Sequence, residues 1–297
     1  MSTILDAIAD LRAGRRSPVD VAKSVLTTGV AVGLLLLLLF PVYWIVTVAL
    51  SRGTTLSSPG SLFGDPAAYT LDSFRWVLEN ESFRRGLLNS LIVVTVTVTV
   101  TLAFSIPGAY ALSRREFFGR RKLLYGYILF TQVGAGLSIA VLIALYALFS
   151  GIGLTNNLLV LGLFYAAGAI PFNTWLLKTF MDNIPVSYEE AAIVDGASQW
   201  QVMREVILPL AKPGIAAVLV FAWTAGWNEF IVAQTLIHDP DLYPLSVELY
   251  GLIDDRRGTS WPQFAAFALL FALPVAIIYF LAQKQVESGL SFGGMEG

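Results

Sequence analysis

Few residue types in this 297-residue chain could carry out chemistry. The sequence contains no cysteine and one histidine, His238. A thiolate or His-rich metal site and a Ser-His-Asp triad are therefore not expected. No Gly-x-x-x-x-Gly-Lys phosphate loop occurs, so we expect no nucleotide or other cofactor on this chain. These features leave little support for an enzyme, and no metal site is predicted.

Glu229 is the one charged residue inside the long apolar stretches of the chain. A carboxylate in a bilayer costs about 2–3 kcal/mol, so its side chain should face protein or water. We place it on a continuous helix, about 24 Å from the cytoplasmic end. Small residues on the same helical face would let another helix approach: Ala225, Gly226 and Ala233. Three hypotheses remain open, namely a hydrogen bond to a partner helix, a polar path shared with Asn228, and control of a gate.

The polar segment 178–213 carries helix signals. Ser187 is predicted to cap the first helix and to form a capping box with Glu190. The sequence Asp195-Gly196-Ala197-Ser198 then turns the chain, and Gly196 suits a left-handed conformation there.

A second short helix is predicted over 199–207. Its apolar face would carry Trp200, Met203 and Ile207, and Leu208-Pro209 would end it. These two helices either pack on the chain's own membrane helices or dock into a groove of a soluble partner. Physical reasoning alone favours neither alternative.

The distribution of charge predicts the elements that hold these residues. Hydrophobic residues make up 56% of the chain and charged residues 13%. Six apolar stretches each exceed the roughly 20 residues that cross a bilayer: 25–50, 87–112, 123–149, 157–177, 214–237 and 263–283. Since lipid cannot satisfy an unpaired strand, even the alternating Val-Thr run 94–101 should be helical. The sequence therefore predicts an all-α polytopic membrane protein with six transmembrane helices.

The basic residues orient these spans. Thirteen of the nineteen Lys and Arg residues fall in the segments 1–24, 113–122, 178–213 and 284–297. Because cytoplasmic loops carry an excess of basic residues, we expect both termini and the segment 178–213 in the cytoplasm. A net charge of −2 gives no electrostatic case for a nucleic-acid partner.

Three groups of residues in the segment 178–213 follow a recognisable spacing. Glu190-Ala191-Ala192 is followed after three residues by Gly196, and after nine more by Val206-Ile207-Leu208-Pro209. This closely resembles the EAA loop of the membrane subunits of ABC importers, with Val206 in place of the usual Ile. Trp227-Asn228-Glu229-Phe230 and the tail 289–294 are similar to MalG-type carbohydrate permeases. The resemblance extends from the second predicted span to the C-terminus.

The resemblance implies a division of labour in the inner or plasma membrane. A solute-binding protein outside would deliver substrate to two membrane subunits, of which this chain is one and a different permease the other. Two ATP-binding subunits would hold ATP and Mg and drive transport. The EAA loop would be the coupling helix seated in the ATPase, through a set of residues that the resemblance supplies: Glu189, Glu190, Ala191, Ala192, Gly196, Leu208 and Pro209.

The C-terminal tail 284–297 has two interpretations. Its resemblance to MalG-type tails places Leu290, Gly293 and Gly294 in contact with the ATPase subunits, whereas a frayed end is the common state of a terminus.

The resemblance favours a sugar as the solute. Alternatives are an ABC permease for glycerol phosphate or polyamine, an ion-coupled secondary carrier, and a structural assembly component. Several intramembrane charges would favour the carrier, and the sequence lacks them. Trp223 and Trp227 lie one turn apart, but packing is a commoner role for such residues than sugar binding.

Overall fold

The computed structural model describes residues 18–52, 69–134, 139–254 and 260–292, and these ranges are almost entirely helical. Within them the only β structure is a bridge between Ser51 and Tyr69. The all-α prediction is confirmed. The helices are, in chain order, α1 (Pro18–Leu50), α2 (Asp72–Glu79), α3 (Glu81–Arg114), α4 (Arg120–Gly134), α5 (Ile139–Gly151), α6 (Leu158–Asp182), α7 (Ser187–Val194), α8 (Gln199–Leu210), α9 (Lys212–Trp227), α10 (Ile231–Leu236), α11 (Leu245–Asp254) and α12 (Trp261–Phe292).

Four of the described helices, α1, α3, α6 and α12, are long and apolar enough to cross a membrane. A fifth candidate arises if α8 and α9, which meet at a bend of 77°, are counted together. The predicted third span, 123–149, corresponds to α4 and α5, and the residues between these helices lie outside the described ranges. The predicted fifth span, 214–237, is divided into α9 and α10. The count of six spans therefore stays a prediction.

Several helices extend beyond the predicted apolar stretches. We placed the end of the fourth span at 177, but α6 continues to Asp182. Lys178 forms an ion pair with Asp182 one turn later, and Met181 is fully buried between them. A change from apolar to charged residues marks the expected edge of the lipid, and the backbone remains helical past it.

The chain divides into two compact units. The first comprises the described residues up to Phe74 together with Ser260–Leu269. Seven consecutive apolar side chains of α1, from Leu34 to Phe40, are exposed in it. A surface of this kind suits lipid or another membrane helix rather than water.

The second unit comprises residues 75–259 and 270–297, and its centre is the packing of α3, α6 and α9. At Gly162 of α6, an added Cβ would lie 2.8 Å from the Val96 Cβ and 2.9 Å from the Val93 carbonyl oxygen of α3. At Gly214 of α9, it would lie 2.7 Å from the Phe180 ring of α6. Glycines at these crossings let the backbones approach closely, as is common between helices in lipid.

The alternating Val-Thr run lies in the middle of α3 and is helical, as predicted. Thr97 and Thr101 are buried, whereas Thr95 and Thr99 lie on the exposed side. The Thr97 hydroxyl donates to the Val93 carbonyl at 2.8 Å and lies 3.2 Å from the Gly162 carbonyl. These contacts show that Thr97 packs against α6 with its hydroxyl bonded to backbone carbonyls.

Candidate functional site

The first helix of the segment 178–213, α7, begins differently from the prediction. Ser187 is its first helical residue, and the preceding Val186 already has helical backbone angles, φ −62° and ψ −27°. Ser187 thus lacks the extended conformation that an N-cap requires, and no side chain caps this helix end. The predicted capping box between Ser187 and Glu190 is wrong.

The turn after α7 is the left-handed bend that the sequence predicts. Gly196 has φ +88°. The Ala197 N–H donates to the Ala192 carbonyl at 2.9 Å, and the Gly196 N–H donates to the Ile193 carbonyl at 3.0 Å. This pair of bonds is a Schellman motif, in which glycine avoids the steric cost that a Cβ would bring.

The second helix of this segment, α8, contains the capping box that α7 lacks. Ser198 caps it, and the side chains of Ser198 and Gln201 bond each other's backbone N–H groups. Residues Val202–Ile207 then form a π-helical turn, in which the Leu208 N–H reaches the Met203 carbonyl. Such turns are rare and often occur at functional sites.

The π turn changes which side chains face inward. Val202 and Ile207, five residues apart, are both fully buried, whereas Trp200 is 63% exposed. The predicted apolar face of Trp200, Met203 and Ile207 is therefore wrong, because it assumed the α-helical repeat. Pro209 does not end the helix at 207 either. It occupies an early position of the α-helical turn that follows, where a missing N–H is tolerated.

The helices α7 and α8 rest on a buried apolar seat formed at one end of the long helices α3 and α6. Val202, Ile207 and Ala211 belong to one core cluster with Ile184, which follows α6, and with residues of α3, α6 and α9: Ala109, Leu177, Met181 and Val218. Ala192 and Ala197 pack against the edge of this cluster. The seat is thus formed within the chain itself.

A buried ion pair fastens α7 to the end of α3. The Arg114 guanidinium binds the Glu189 carboxylate, and both side chains are at least nine-tenths buried. Arg114 also donates to the Ile184 carbonyl at 2.8 Å, and the Tyr110 hydroxyl donates to Glu189 at 3.2 Å. The guanidinium and the carboxylate each have a further hydrogen-bond partner. The free-energy cost of removing the two charges from water is therefore offset.

The residues predicted for ATPase coupling fall into three groups. Glu189 points inward, to Arg114. Ala192 and Leu208 are half-buried, and the remaining members are exposed: Glu190, Ala191, Gly196 and Pro209. Around the exposed members lie large apolar side chains that no described residue covers, of which Val194 is 86% exposed. The others are Val186, Tyr188, Ile193 and Trp200.

Glu229 does not lie in a continuous helix, and that prediction is wrong. The helix α9 ends at Trp227, and α10 begins at Ile231. The Glu229 carboxylate lies in the break and accepts the N–H groups of Val232 at 3.0 and 3.1 Å and of Ala233 at 3.2 Å. It thereby satisfies two of the free donors in the first turn of α10, which stabilises the break in an apolar setting.

Two further residues hold Glu229 from other elements. The Tyr165 hydroxyl of α6 donates to its carboxylate, and the Ser246 hydroxyl of α11 donates to its backbone carbonyl at 3.0 Å. The hydrogen bond to a partner helix is therefore present, while the path and gate hypotheses remain predictions. Asn228 is exposed beside the break. Gly226, predicted to face a helix near Glu229, packs on Thr97, whose Oγ1 would lie 3.0 Å from an added Cβ.

The tryptophans near Glu229 are packing residues. Trp223 stacks on Trp227 with ring centroids 5.9 Å apart, and Trp227 stacks on Phe271 at 5.6 Å. The Trp227 indole donates to the Phe271 carbonyl at 3.0 Å and is almost fully buried. Trp227 is thus not available to stack on a sugar in this conformation.

The tail residues are only partly described. Leu290 lies in the last turns of α12, and Gly293 and Gly294 lie outside the described residues. The predicted contact of this tail with an ATPase stays a prediction.

Three residues of these sites were not predicted as site residues. Arg114 lies in the basic segment 113–122 that orients the spans, and it is 75 residues from Glu189, so no local pattern pairs the two. Tyr165 and Ser246 are single polar residues in apolar surroundings, and their spacing to Glu229, 64 and 17 residues, carries no pattern. Only the fold brings them together.

Comparison with known proteins now gives the class. Residues 105–292 match the family described as binding-protein-dependent transport system inner membrane component. The chain belongs to this family of inner-membrane permease subunits.

Individual relatives are consistent with that membership. The chain is 33% identical over 264 residues to the galactooligosaccharides transport system permease protein GanQ of Bacillus subtilis, covering 88% of this chain and 91% of GanQ. It is 36% identical over 216 residues to the maltose/maltodextrin permease MalG of Escherichia coli, covering 71% and 72% of the two chains. A bacterial ABC transporter that imports the acidic polysaccharide alginate has a similar chain, with a TM-score of 0.75, 26% identity and coverage of 91% and 98%.

Proposed function

We propose that this chain is a permease subunit of an ABC importer and forms half of the translocation path for a saccharide. The observation that carries the proposal is the cytoplasmic surface of α7 and α8. It combines exposed apolar side chains with a rigid seat on the inner ends of α3, α6 and α9. Exposed apolar clusters of this kind mark a partner surface.

The two glutamates at the start of α7 have different roles in coupling. Glu189 is bound to Arg114 inside the chain, so it fixes α7 to α3. Glu190, the next residue, is exposed, and there it pairs with basic groups of the ATPase. A push on α7 is then carried through the buried ion pair into α3.

The partners follow from the family and from this surface. Two ATP-binding subunits hold ATP and Mg and seat α7 in their grooves, and this chain supplies no nucleotide site. A second, different permease completes the path. A binding protein delivers the solute on the outer side. Both termini of this chain lie in the cytoplasm, where the tail after α12 reaches the ATPase subunits through Leu290, Gly293 and Gly294.

The solute class rests on the relatives. GanQ and MalG are named for galacto-oligosaccharides and for maltose and maltodextrin, and the structural relative imports alginate. Each of these solutes is a saccharide, which supports a saccharide for this chain.

The test of the proposal uses Gly196→Asp in the assembled complex. A side chain at φ +88° is strained by about 1 kcal/mol, and it would stand on the exposed coupling surface. We expect the variant to insert normally but to lose the copurifying ATPase or to hydrolyse ATP without transport. Glu190→Lys should act in the same direction, because it reverses the exposed charge.

Gly119→Asp is the matched control. Gly119 has φ +89° and open space around its Cβ position, so it carries the same strain outside α7 and α8. It should keep both ATPase and transport. Normal ATPase retention and normal transport in Gly196→Asp and Glu190→Lys would reject the coupling surface and the proposed function with it.

A further inference from the structure

The break at Glu229 is joined to the outer segment that follows α10. Ser246, nearly buried at the start of α11, donates from its hydroxyl to the Glu229 carbonyl at 3.0 Å. Phe230 of the break packs on Tyr250 of α11 with ring centroids 4.7 Å apart. The backbone of the break and the first turns of α11 therefore share a polar and an aromatic contact.

The outer segment is itself fastened to α3. The Asn89 amide donates to the carbonyls of Asp241 at 3.0 Å and Tyr243 at 3.1 Å. The Ser90 hydroxyl accepts the Leu245 N–H at 2.7 Å. These bonds hold the segment 241–245 against one helix, so a displacement of α11 is not absorbed by a loose loop in front of it.

The opposite end of α10 is held by a second polar group. Asn156 accepts the N–H groups of His238 at 2.6 Å and Asp239 at 3.0 Å, and its own N–H donates to the Leu236 carbonyl at 3.0 Å. The short helix α10 is thus clamped by Glu229 at its start and by Asn156 at its end. Ser246 adds a hydrogen bond from the outer segment to this clamp, beside the ring contact of Tyr250 with Phe230.

The outer segment also presents an open surface. Tyr250 and Ile253 of α11 are exposed, and so are the acidic residues Asp239 and Asp241 ahead of it. By the predicted topology this surface faces the side from which the binding protein arrives.

We propose that Ser246 is a positioning residue that couples docking on the outer segment 239–253 to the backbone of the break at Glu229. Movement of α11 on docking shifts the Glu229 carbonyl through the Ser246 hydroxyl. The carboxylate of the same residue then changes its hold on α10 and on Tyr165. This inference rests on the proposed function, because it takes the binding protein as the partner outside.

The first measurement is ATP hydrolysis by the reconstituted complex, with and without the binding protein saturated with a mixture of galacto-oligosaccharides and maltodextrins. In Ser246→Ala we expect the ratio of stimulated to basal activity to fall about fivefold, the change that corresponds to one lost hydrogen bond. Ser246→Thr keeps the hydroxyl and should restore most of the ratio. Thr235→Ala removes an ordinary bond within α10, from the Thr235 hydroxyl to the Ile231 carbonyl, and should leave the ratio unchanged.

The second measurement is hydrogen exchange of the complex in lipid nanodiscs. In Ser246→Ala the Val232 and Ala233 amides, which bond Glu229, should exchange about fivefold faster, as loss of one hydrogen bond implies. Thr235→Ala should not change them. Unchanged exchange at these amides would overturn the link between Ser246 and the break.

The two measurements separate the possible failures. Faster exchange with an unchanged stimulation ratio would overturn the coupling role and leave Ser246 as a structural residue. A wild-type complex that the loaded binding protein does not stimulate would instead overturn the proposed function, and the role of Ser246 in sensing with it.

Discussion

Glu189 and Glu190 are adjacent in sequence, but one side chain is buried and the other is exposed. Glu189 is 7% exposed and bound to Arg114, whereas Glu190 is exposed. A substitution at either position removes one carboxylate from the same helix turn, but the consequences are physically different. The inner residue holds the chain's own fold, and the outer one is available to a partner.

Arg114→Ala should therefore destabilise the subunit strongly. Removing one partner of a buried ion pair leaves an uncompensated charge and costs about 3–5 kcal/mol. We expect a clearly lower thermal unfolding midpoint of the purified subunit in detergent. Arg115→Ala is the control, since the Arg115 side chain donates an exposed hydrogen bond to Gln199, whose loss should change stability little.

The double variant Arg114→Met with Glu189→Leu sharpens this test. Because it removes both charges, it should recover much of the lost stability. An Arg114→Ala subunit as stable as the Arg115→Ala subunit would show that the pair does not hold α7.

Glu248 of α11 gives a pH dependence. Burial raises the pKa of this carboxyl above its usual 4.5, and nearby Arg85 only partly opposes the shift. The folded state thus favours the protonated form. Its contribution to stability is complete below pH 4.5 and is lost as the pH rises through the raised folded value.

The variant Glu248→Gln isolates that contribution. The difference in unfolding midpoint between wild type and Glu248→Gln should shift in favour of the variant as the pH rises through this window. A difference that stays constant with pH would contradict the burial of the carboxyl.

At the scale of the elements, helix crossings depend on single glycines. Gly162→Ala puts a methyl group 2.8 Å from Val96 and 2.9 Å from a backbone oxygen of α3, so the helices must separate. Overpacking of this kind costs about 1–3 kcal/mol. We expect a lower unfolding midpoint for Gly162→Ala.

Gly168→Ala, six residues further along the same helix, is the matched control. It has nothing within 4 Å of its Cβ position. Alanine is a better helix former than glycine, so this variant should be neutral or slightly more stable. Equal stability of the two variants would contradict the close crossing of α3 and α6.

The elements also show how much of the fold could be predicted from the sequence. The helical class, the Val-Thr run in α3 and the left-handed turn at Gly196 could be predicted, because each follows from a local rule about lipid, period or backbone angle. The break at Glu229 could not be predicted, because the Val232 and Ala233 N–H groups and the Tyr165 hydroxyl meet its carboxylate only in the folded chain. The π turn at Val202–Ile207 was also missed, because a hydrophobic pattern assumes one helical repeat throughout.

At the scale of the whole molecule, the orientation in the membrane can be tested directly. The chain has no native cysteine, so a single introduced cysteine is labelled without a background signal from other thiols of the chain. Phe118→Cys, at a fully exposed position between α3 and α4, should react with an impermeant thiol reagent from the cytoplasmic side. Ile152→Cys, exposed after α5, should react from the outer side.

Inside-out and right-side-out vesicles distinguish reaction from the cytoplasmic side from reaction from the outer side. Reaction of both variants from one side would contradict the alternation of the spans and the cytoplasmic position of α7 and α8.

The buried seat under α7 and α8 bears on how the complex is built. Since Arg114, Glu189 and the apolar cluster around Ile207 are all satisfied within one chain, the subunit can finish this surface during its own biogenesis. In the proposed complex the ATPase would then bind a preformed surface, and little conformational entropy would be lost at that step. The proposal therefore implies that the permease subunit completes α7 and α8 first and persists in the membrane as a stable intermediate of assembly.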